Sequence, residues 1–233
     1  SFETRLEKIE RIEKPESDLS LRAIFKPKIE SSQTVIYLKG INKNFREREV
    51  LKNFSLLINK GDKVALLGPN GSGKTTLINI ILGKLMPDNG IVEIGNNIDI
   101  GYLPQEHAEI NSSDQLLDYL TEQITQDRTA SYKLARRFLF SDDDLRTLVK
   151  DLSSGQKSKL ALAKIMASGA NFIILDEPTN HLDIPAREAL ETAITSYPST
   201  LLFVTHDRYF LDMINSDKIV NLDSSIKSES GVN

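Results

Sequence analysis

The chain has no cysteine in its 233 residues. That excludes disulfide staples and thiolate metal sites and suits the reducing interior of a cell. It also lacks any apolar run near the ~18 residues that a membrane-spanning helix needs, and no signal-peptide pattern opens it. A cytoplasmic protein with no membrane contact of its own is therefore expected. Positive charge is not in surplus: 29 Lys and Arg against 33 Asp and Glu leave a net charge of −4. No global basic field exists for nucleic acid, so any such contact must be local. No internal repeat is visible. What remains, 39% hydrophobic and 27% charged residues, is ordinary for a soluble globular chain, long enough for one large domain or two small ones.

The opening SFETRLEKIERIEKPE is charge-dense, with Phe2, Leu6 and Ile9 at helical spacing until Pro15 stops the pattern. So narrow an apolar stripe wants a partner helix. Residues 15–33 lack periodicity and read as an extended linker. Residues 34–222 read as one globular domain, and the polar tail 223–233 as disordered. Within the domain, β-prone runs fall at residues 35–38, 54–58, 64–67, 91–94 and 98–103. Residues 112–168 read as mostly helical, with Ser112 and Gln115 at capping-box spacing. Two fully apolar strands follow at 172–175 and 201–204. Apolar strands separated by helix indicate a parallel sheet covered on both faces, hence an α/β fold.

Between the strand at 64–67 and a helical pattern carried by Leu77, Ile78, Ile80 and Ile81 stands GPNGSGKTT, residues 68–76. Gly68, Gly73, Lys74 and Thr75 fit the spacing G-x-x-x-x-G-K-[ST] of a phosphate-binding loop. Its span Gly68, Pro69, Asn70, Gly71, Ser72, Gly73 offers backbone N–H groups to an anion, reinforced by the positive end of the following helix. Lys74 is expected to reach the β and γ phosphates of a nucleotide, Thr75 to place its hydroxyl on Mg²⁺, and Thr76 to lie near the α-phosphate. A glycine-rich turn between strand and helix is the bland alternative.

The apolar strand 172–175 ends in Asp176 and Glu177. Beside a phosphate loop, the first carboxylate is suited to hold Mg²⁺ through water and the second to polarise the attacking water. LSSGQ, residues 152–156, precedes a helical run over 157–166, so Ser153 and the N–H groups around Gly155 and Gln156 form a second anion-binding helix start, or simply an N-cap.

GPNGSGKT, Gln105, LSSGQ, FIILDEPTNHLD and His206 in TLLFVTHDRYF occur in the order found in ATP-binding cassette nucleotide-binding domains, and the resemblance spans nearly all of residues 34–222. It implies a phosphate-loop core with an antiparallel β subdomain and a helical subdomain. It also implies that Gln105 touches Mg²⁺ and the attacking water, that His206 contacts the γ-phosphate, and that Phe45 stacks on adenine, packing into the core being the alternative for Phe45. Such domains work as head-to-tail pairs. Residues 68–76 would hold this domain's own ATP, while Ser153, Gly155, Gln156 and Asp183 would face the nucleotide of a partner cassette.

TNHLD, residues 179–183, and RLEKIERIEKP, residues 5–15, resemble the ABC-F branch, whose members carry two cassettes in one chain and no membrane domain. The resemblance implies the end of an interdomain linker followed by a second cassette, partnered by the first cassette of the same parent chain or by a second copy. It further implies a ribosome and tRNA as partners, in translation or antibiotic resistance. Two departures stand out. Ser154 replaces a common glycine of the signature, and residues 1–33 balance seven basic against seven acidic side chains, so RNA binding rests on resemblance alone. The competing readings are the ATPase subunit of a membrane transporter and a non-hydrolysing dimerisation module. TNHLD and the linker argue against the first, Glu177 and His206 against the second.

Overall fold

The computed structural model describes residues 27–46, 48–105, 112–179, 182, 184–195 and 197–222. The helical stripe expected over Phe2, Leu6 and Ile9 and the tail 223–233 lie outside them. Three strands form an antiparallel sheet in the order β2 (Arg48–Asn59), β1 (Thr34–Phe45), β4 (Asn89–Ile94). Five form a parallel sheet in the order β5 (Ile100–Leu103), β6 (Phe172–Asp176), β7 (Thr200–Val204), β3 (Lys63–Leu67), β8 (Lys218–Asn221). This is the α/β architecture that the uniformly apolar strands implied; β6 and β7 are buried at every position.

The parallel sheet is the middle layer because its strands offer apolar side chains to both faces with period two. Val64, Leu66, Phe172, Ile174, Leu202 and Val204 join a core with the antiparallel sheet and with α1 (Lys74–Ile81). Ala65, Ile173, Leu175, Leu201 and Phe203 join a second core with the helices α2 (Leu116–Leu120), α3 (Arg128–Arg137), α4 (Asp142–Arg146), α5 (Ser154–Ser168), α6 (Ile184–Thr195) and α7 (Arg208–Ile214). There Phe203 and Phe210 meet edge to face with ring centres 5.6 Å apart. That geometry adds about 1 kcal/mol to their burial.

Several local expectations change. Ser112 does not cap a helix: its hydroxyl donates to Asp114 Oδ2 at 2.6 Å, and α2 starts after Gln115, which makes no side-chain cap. The carboxylate two residues away outcompetes a helix end. The strand expected over 98–103 is shorter, β1 and β2 are longer than their apolar patches, and β8 is an additional strand. The helix after the signature spans Ser154–Ser168 rather than 157–166. Residues 27–33, expected to be extended linker, are bonded to the domain. Lys28 N–H donates to Gly169 O at 3.0 Å, and Ile29 O accepts from the amide of Asn171, at 3.0 Å. Asn171 is 4% exposed; the same amide donates to Asn97 O and its oxygen accepts from Asp99 N–H.

Candidate functional site

In a parallel sheet every strand ends at the same edge, and ligands gather there. Here β5, β6, β7 and β3 lie side by side, and the residues at or just past their carboxyl ends are Gln105, Asp176 with Glu177, His206, and the loop 68–73. The strand order itself brings together groups that are up to 138 positions apart in the chain. A cleft of about 480 Å³ opens at this edge, lined by Phe45, Arg48, Val50, Asn70, Gly71, Gly73, Lys74, Thr75, Thr76, Gln105, Asp176 and Glu177.

The loop is shaped for an anion. Gly73 precedes α1 at φ 104°, and no side chain caps the helix, so the first-turn N–H groups are left for a ligand. A Cβ at Gly73 would stand 2.9 Å from Val50 Cγ1 and 3.1 Å from Val50 O, so β2 presses the loop where only glycine fits. Ser72 Oγ is buried without a hydrogen-bond partner, a polar atom awaiting one. Lys74, 8% exposed, turns its ammonium back onto the loop, donating to Gly68 O at 2.6 Å and Pro69 O at 3.0 Å.

Asp176 is 4% exposed. Burial, and then the neighbouring charge of Glu177, push its pKa up, while Lys74 pulls it down. Such a carboxylate gains from a cation. Among the described residues no cluster of three or more His, Cys, Asp or Glu could hold a metal by itself. The oxygen donors Thr75, Asp176 and Gln105 at the cleft are of the kind that would hold Mg²⁺. Unpaired Ser72, uncapped α1 and desolvated Asp176 together fit a Mg²⁺-nucleotide.

Glu177 adopts a left-handed backbone, φ 51°, after its N–H donates to Val204 O at 3.0 Å and so extends the β6–β7 ladder by one bond. That turn aims its carboxylate at the cleft. Gln105 Nε2 donates to Glu177 Oε2 at 3.4 Å, and His206 Nε2 lies 3.5 Å from Glu177 Oε1. His206 is fixed from behind: Asp207 caps α7 by accepting from the N–H groups of Tyr209 and Phe210 and pairs with Arg187 of α6, which also bonds the buried Glu191 at 3.1 Å.

Phe45 is 47% exposed at the end of β1, so it does not pack into the core. Lys43 Nζ sits 5.7 Å over its ring and pairs with Asp88 at 2.7 Å; the lysine hydrogen bond lowers the Asp88 pKa. Ser153, Gly155 and Gln156 stand at the start of α5 and do not line the cleft. Asp183 lies outside the described residues. Sequence reasoning missed Arg48 and Val50, since their places depend on the β1–β2 register.

Such a sheet edge, with an uncapped glycine loop and paired carboxylates, defines a phosphate-loop nucleotide-binding domain. Residues 51–180 match the ABC transporter family. The chain is 38% identical over 221 residues to the ATP-binding protein Uup of Caulobacter vibrioides, covering 90% of this chain and 36% of that one. It is 37% identical over 235 residues to ABC transporter F family member 5 of Arabidopsis thaliana, covering 98% and 34%. It thus spans about a third of the length of these relatives. A bacterial Atm1-family ABC exporter solved with ATP bound shares the fold, with TM-score 0.70 and 20% identity over 85% of this chain and 38% of that one. The chain belongs to the ABC transporter family, as an ATP-binding cassette with the fold of its ATPase domains. No helix among the described residues is long and apolar enough to cross a membrane.

Proposed function

We propose that the chain binds ATP with Mg²⁺ in the cleft and hydrolyses it, as the second cassette of an ABC-F protein that works on the ribosome. The observation that carries the chemistry is the convergence of Lys74, Asp176 and Glu177 on one cleft, with Gln105 and His206 within 3.4 and 3.5 Å of Glu177. Lys74 exchanges the carbonyls of Gly68 and Pro69 for the β and γ phosphates, and the loop N–H groups with Ser72 surround the anion. Phe45 stacks on the base. Thr75, Asp176 and Gln105 are the residues that would hold Mg²⁺, which supplies charge neutralisation to the phosphates. Glu177 accepts a hydrogen bond from the attacking water and takes up its proton as the water oxygen bonds to the γ-phosphorus and the bond to the β–γ bridging oxygen breaks, leaving ADP and phosphate, while Gln105 and His206 fix the orientation of that carboxylate.

Ser153, Gly155 and Gln156 lie off the cleft, which supports a composite site in which they and Asp183 face the nucleotide of a partner cassette. The ribosome and tRNA rest on the resemblance of TNHLD at 179–183 to the ABC-F branch; an F-family relative is also similar to the chain in sequence.

Nucleotide binding is tested by thermal unfolding with and without MgATP. At 100 times its Kd the ligand contributes about 2.7 kcal/mol, so the wild-type melting temperature rises, and Lys74→Ala cancels the rise. A mutant stabilised as much as wild type refutes the site. Co-sedimentation of the full parent protein with ribosomes, rather than with membranes, tests the second half of the proposal.

A further inference from the structure

Lys74 is not the only cation that grips the phosphate loop. Arg48 opens β2 and is the register partner of Phe45 across the β1–β2 hairpin. A connection of only two residues, Arg46 and Glu47, joins them, and Arg46 is at φ 55°. Both Phe45 and Arg48 line the cleft. The guanidinium Nη2 of Arg48 donates to Gly71 O at 2.8 Å. A Cβ at Gly71 would lie 3.1 Å from that Nη2, so the missing side chain lets the guanidinium lie against the loop backbone. None of the ion pairs among the described residues involves Arg48. Its fork carries five N–H donors, of which Gly71 O takes one.

We propose that Arg48 is a nucleotide-binding residue, holding the phosphates nearest the base; the proposal rests on the ATP-cassette reading of the cleft. The two cations divide the polyphosphate. Lys74 is deep, 8% exposed, and bonded to the start of the loop. Arg48 is exposed at the lip, bonded to the middle of the loop and opposite the aromatic ring, where cross-strand Cβ atoms lie about 5 Å apart. A base resting on Phe45 therefore begins the nucleotide beside Arg48 and ends it at Lys74. In the free chain each cation is kept in place by loop carbonyls, which accept hydrogen bonds without neutralising charge. Phosphate oxygens offer both, and a planar fork binds them in pairs.

The test is calorimetric titration of ATP and ADP into wild type, Arg48→Ala, Arg48→Gln and Arg48→Lys. Arg48 is on the surface, so the variants fold, which their melting temperatures check. Arg48→Ala should weaken ATP and ADP alike, by about tenfold, the scale of one charge-assisted hydrogen bond. Arg48→Gln can still donate to Gly71 O but has no charge, so it should lose as much as alanine, whereas lysine recovers part. Affinity should fall less steeply with added salt in the alanine variant than in wild type. A glutamine variant that binds as wild type does would show that Arg48 only braces the loop and would overturn the proposal. So would a loss confined to ATP, which would move the contact to the γ-phosphate. Wild type binding neither nucleotide would refute the cassette reading itself, whereas wild type binding with Arg48→Ala unchanged refutes only the role of Arg48.

Discussion

Two glycines with left-handed backbones differ in what surrounds them, and that difference measures how tightly β2 packs on the phosphate loop. Gly83, just after α1, has φ 69° and nothing within 4 Å of where a Cβ would be. Gly83→Ala therefore costs only the conformational preference, about 1 kcal/mol. At Gly73, φ 104°, the Cβ would meet Val50 Cγ1 at 2.9 Å, Leu51 Cδ2 at 3.1 Å and the Val50 carbonyl oxygen at 3.1 Å. The side chains can turn aside, but the carbonyl is part of the β2 backbone and moves only if the strand moves. Overpacking of this kind adds about 1–3 kcal/mol, for a total near 3 kcal/mol. In a domain of this size each kcal/mol moves the melting temperature by about 2–4 °C. Gly83→Ala should thus melt about 3 °C lower and Gly73→Ala about 9 °C lower, read by circular dichroism in EDTA without nucleotide. MgATP should stabilise Gly83→Ala fully and Gly73→Ala little. Equal losses in the two variants, or full nucleotide stabilisation of Gly73→Ala, would refute the claim that β2 sets the shape of the loop.

Glu177→Gln keeps the hydrogen-bond reach to Gln105 and His206 but not the charge that polarises water; it should retain ATP binding and lose turnover at least a hundredfold in a phosphate-release assay. Asp176→Asn should raise the ligand-free stability. The raised pKa means that the folded chain takes up the proton more readily than the unfolded one, so ligand-free stability falls as pH rises from the ordinary aspartate value through the raised one, and the cost stands at pH 7. Asparagine removes it, gaining about 1 kcal/mol in EDTA with a flatter pH dependence, and MgATP then adds less than it does to wild type. A destabilised asparagine variant would show that the carboxylate is a net contributor to the fold.

Much of this site is legible in the sequence because it rests on residues that chemistry forces into short spacings. The loop 68–76 follows one apolar strand and the pair Asp176–Glu177 closes another, and the buried runs of both strands, residues 64–66 and 172–176, make them visible. β8 was not visible. KIVN alternates half-buried and exposed positions over four residues, too short and too mixed for any period to emerge. The full length of β1 was hidden for another reason: its pairing with β2 carries several register shifts, and each one breaks the alternation that would announce a strand. Those same shifts determine that Arg48 faces Phe45. Arg48 could not be placed in the cleft before the register was known. The cap at Ser112 failed for a local reason, since Asp114 offers a nearer partner.

The starts of α1 and α5 both read in the sequence as anion sites, and the structure treats them differently. α1 has no side-chain cap and an unpartnered Ser72 hydroxyl beside it, while α5 is closed on itself. Ser153 Oγ accepts from Gln156 N–H at 3.3 Å, and Gln156 Oε1 accepts from Ser153 N–H at 2.8 Å. Gln156 Nε2 also donates to Asp144 Oδ1 at 2.5 Å. Asp144 Oδ2 in turn accepts from Ser141 N–H at 2.7 Å. Two capping boxes are thus joined through one carboxylate, so that α4 and the signature turn move together. Any new acceptor for Gln156 Nε2 competes with Asp144. A double-mutant cycle in thermal unfolding measures the joint. Asp144→Ala and Gln156→Ala should each cost about 1–2 kcal/mol through lost caps, and the double variant should cost less than their sum by about 1 kcal/mol. ATP affinity at the chain's own cleft should be unchanged, because neither residue lines it. Strict additivity would mean that the Asp144–Gln156 bond is not formed in solution, and Gln156 would then be free for a second nucleotide from the start.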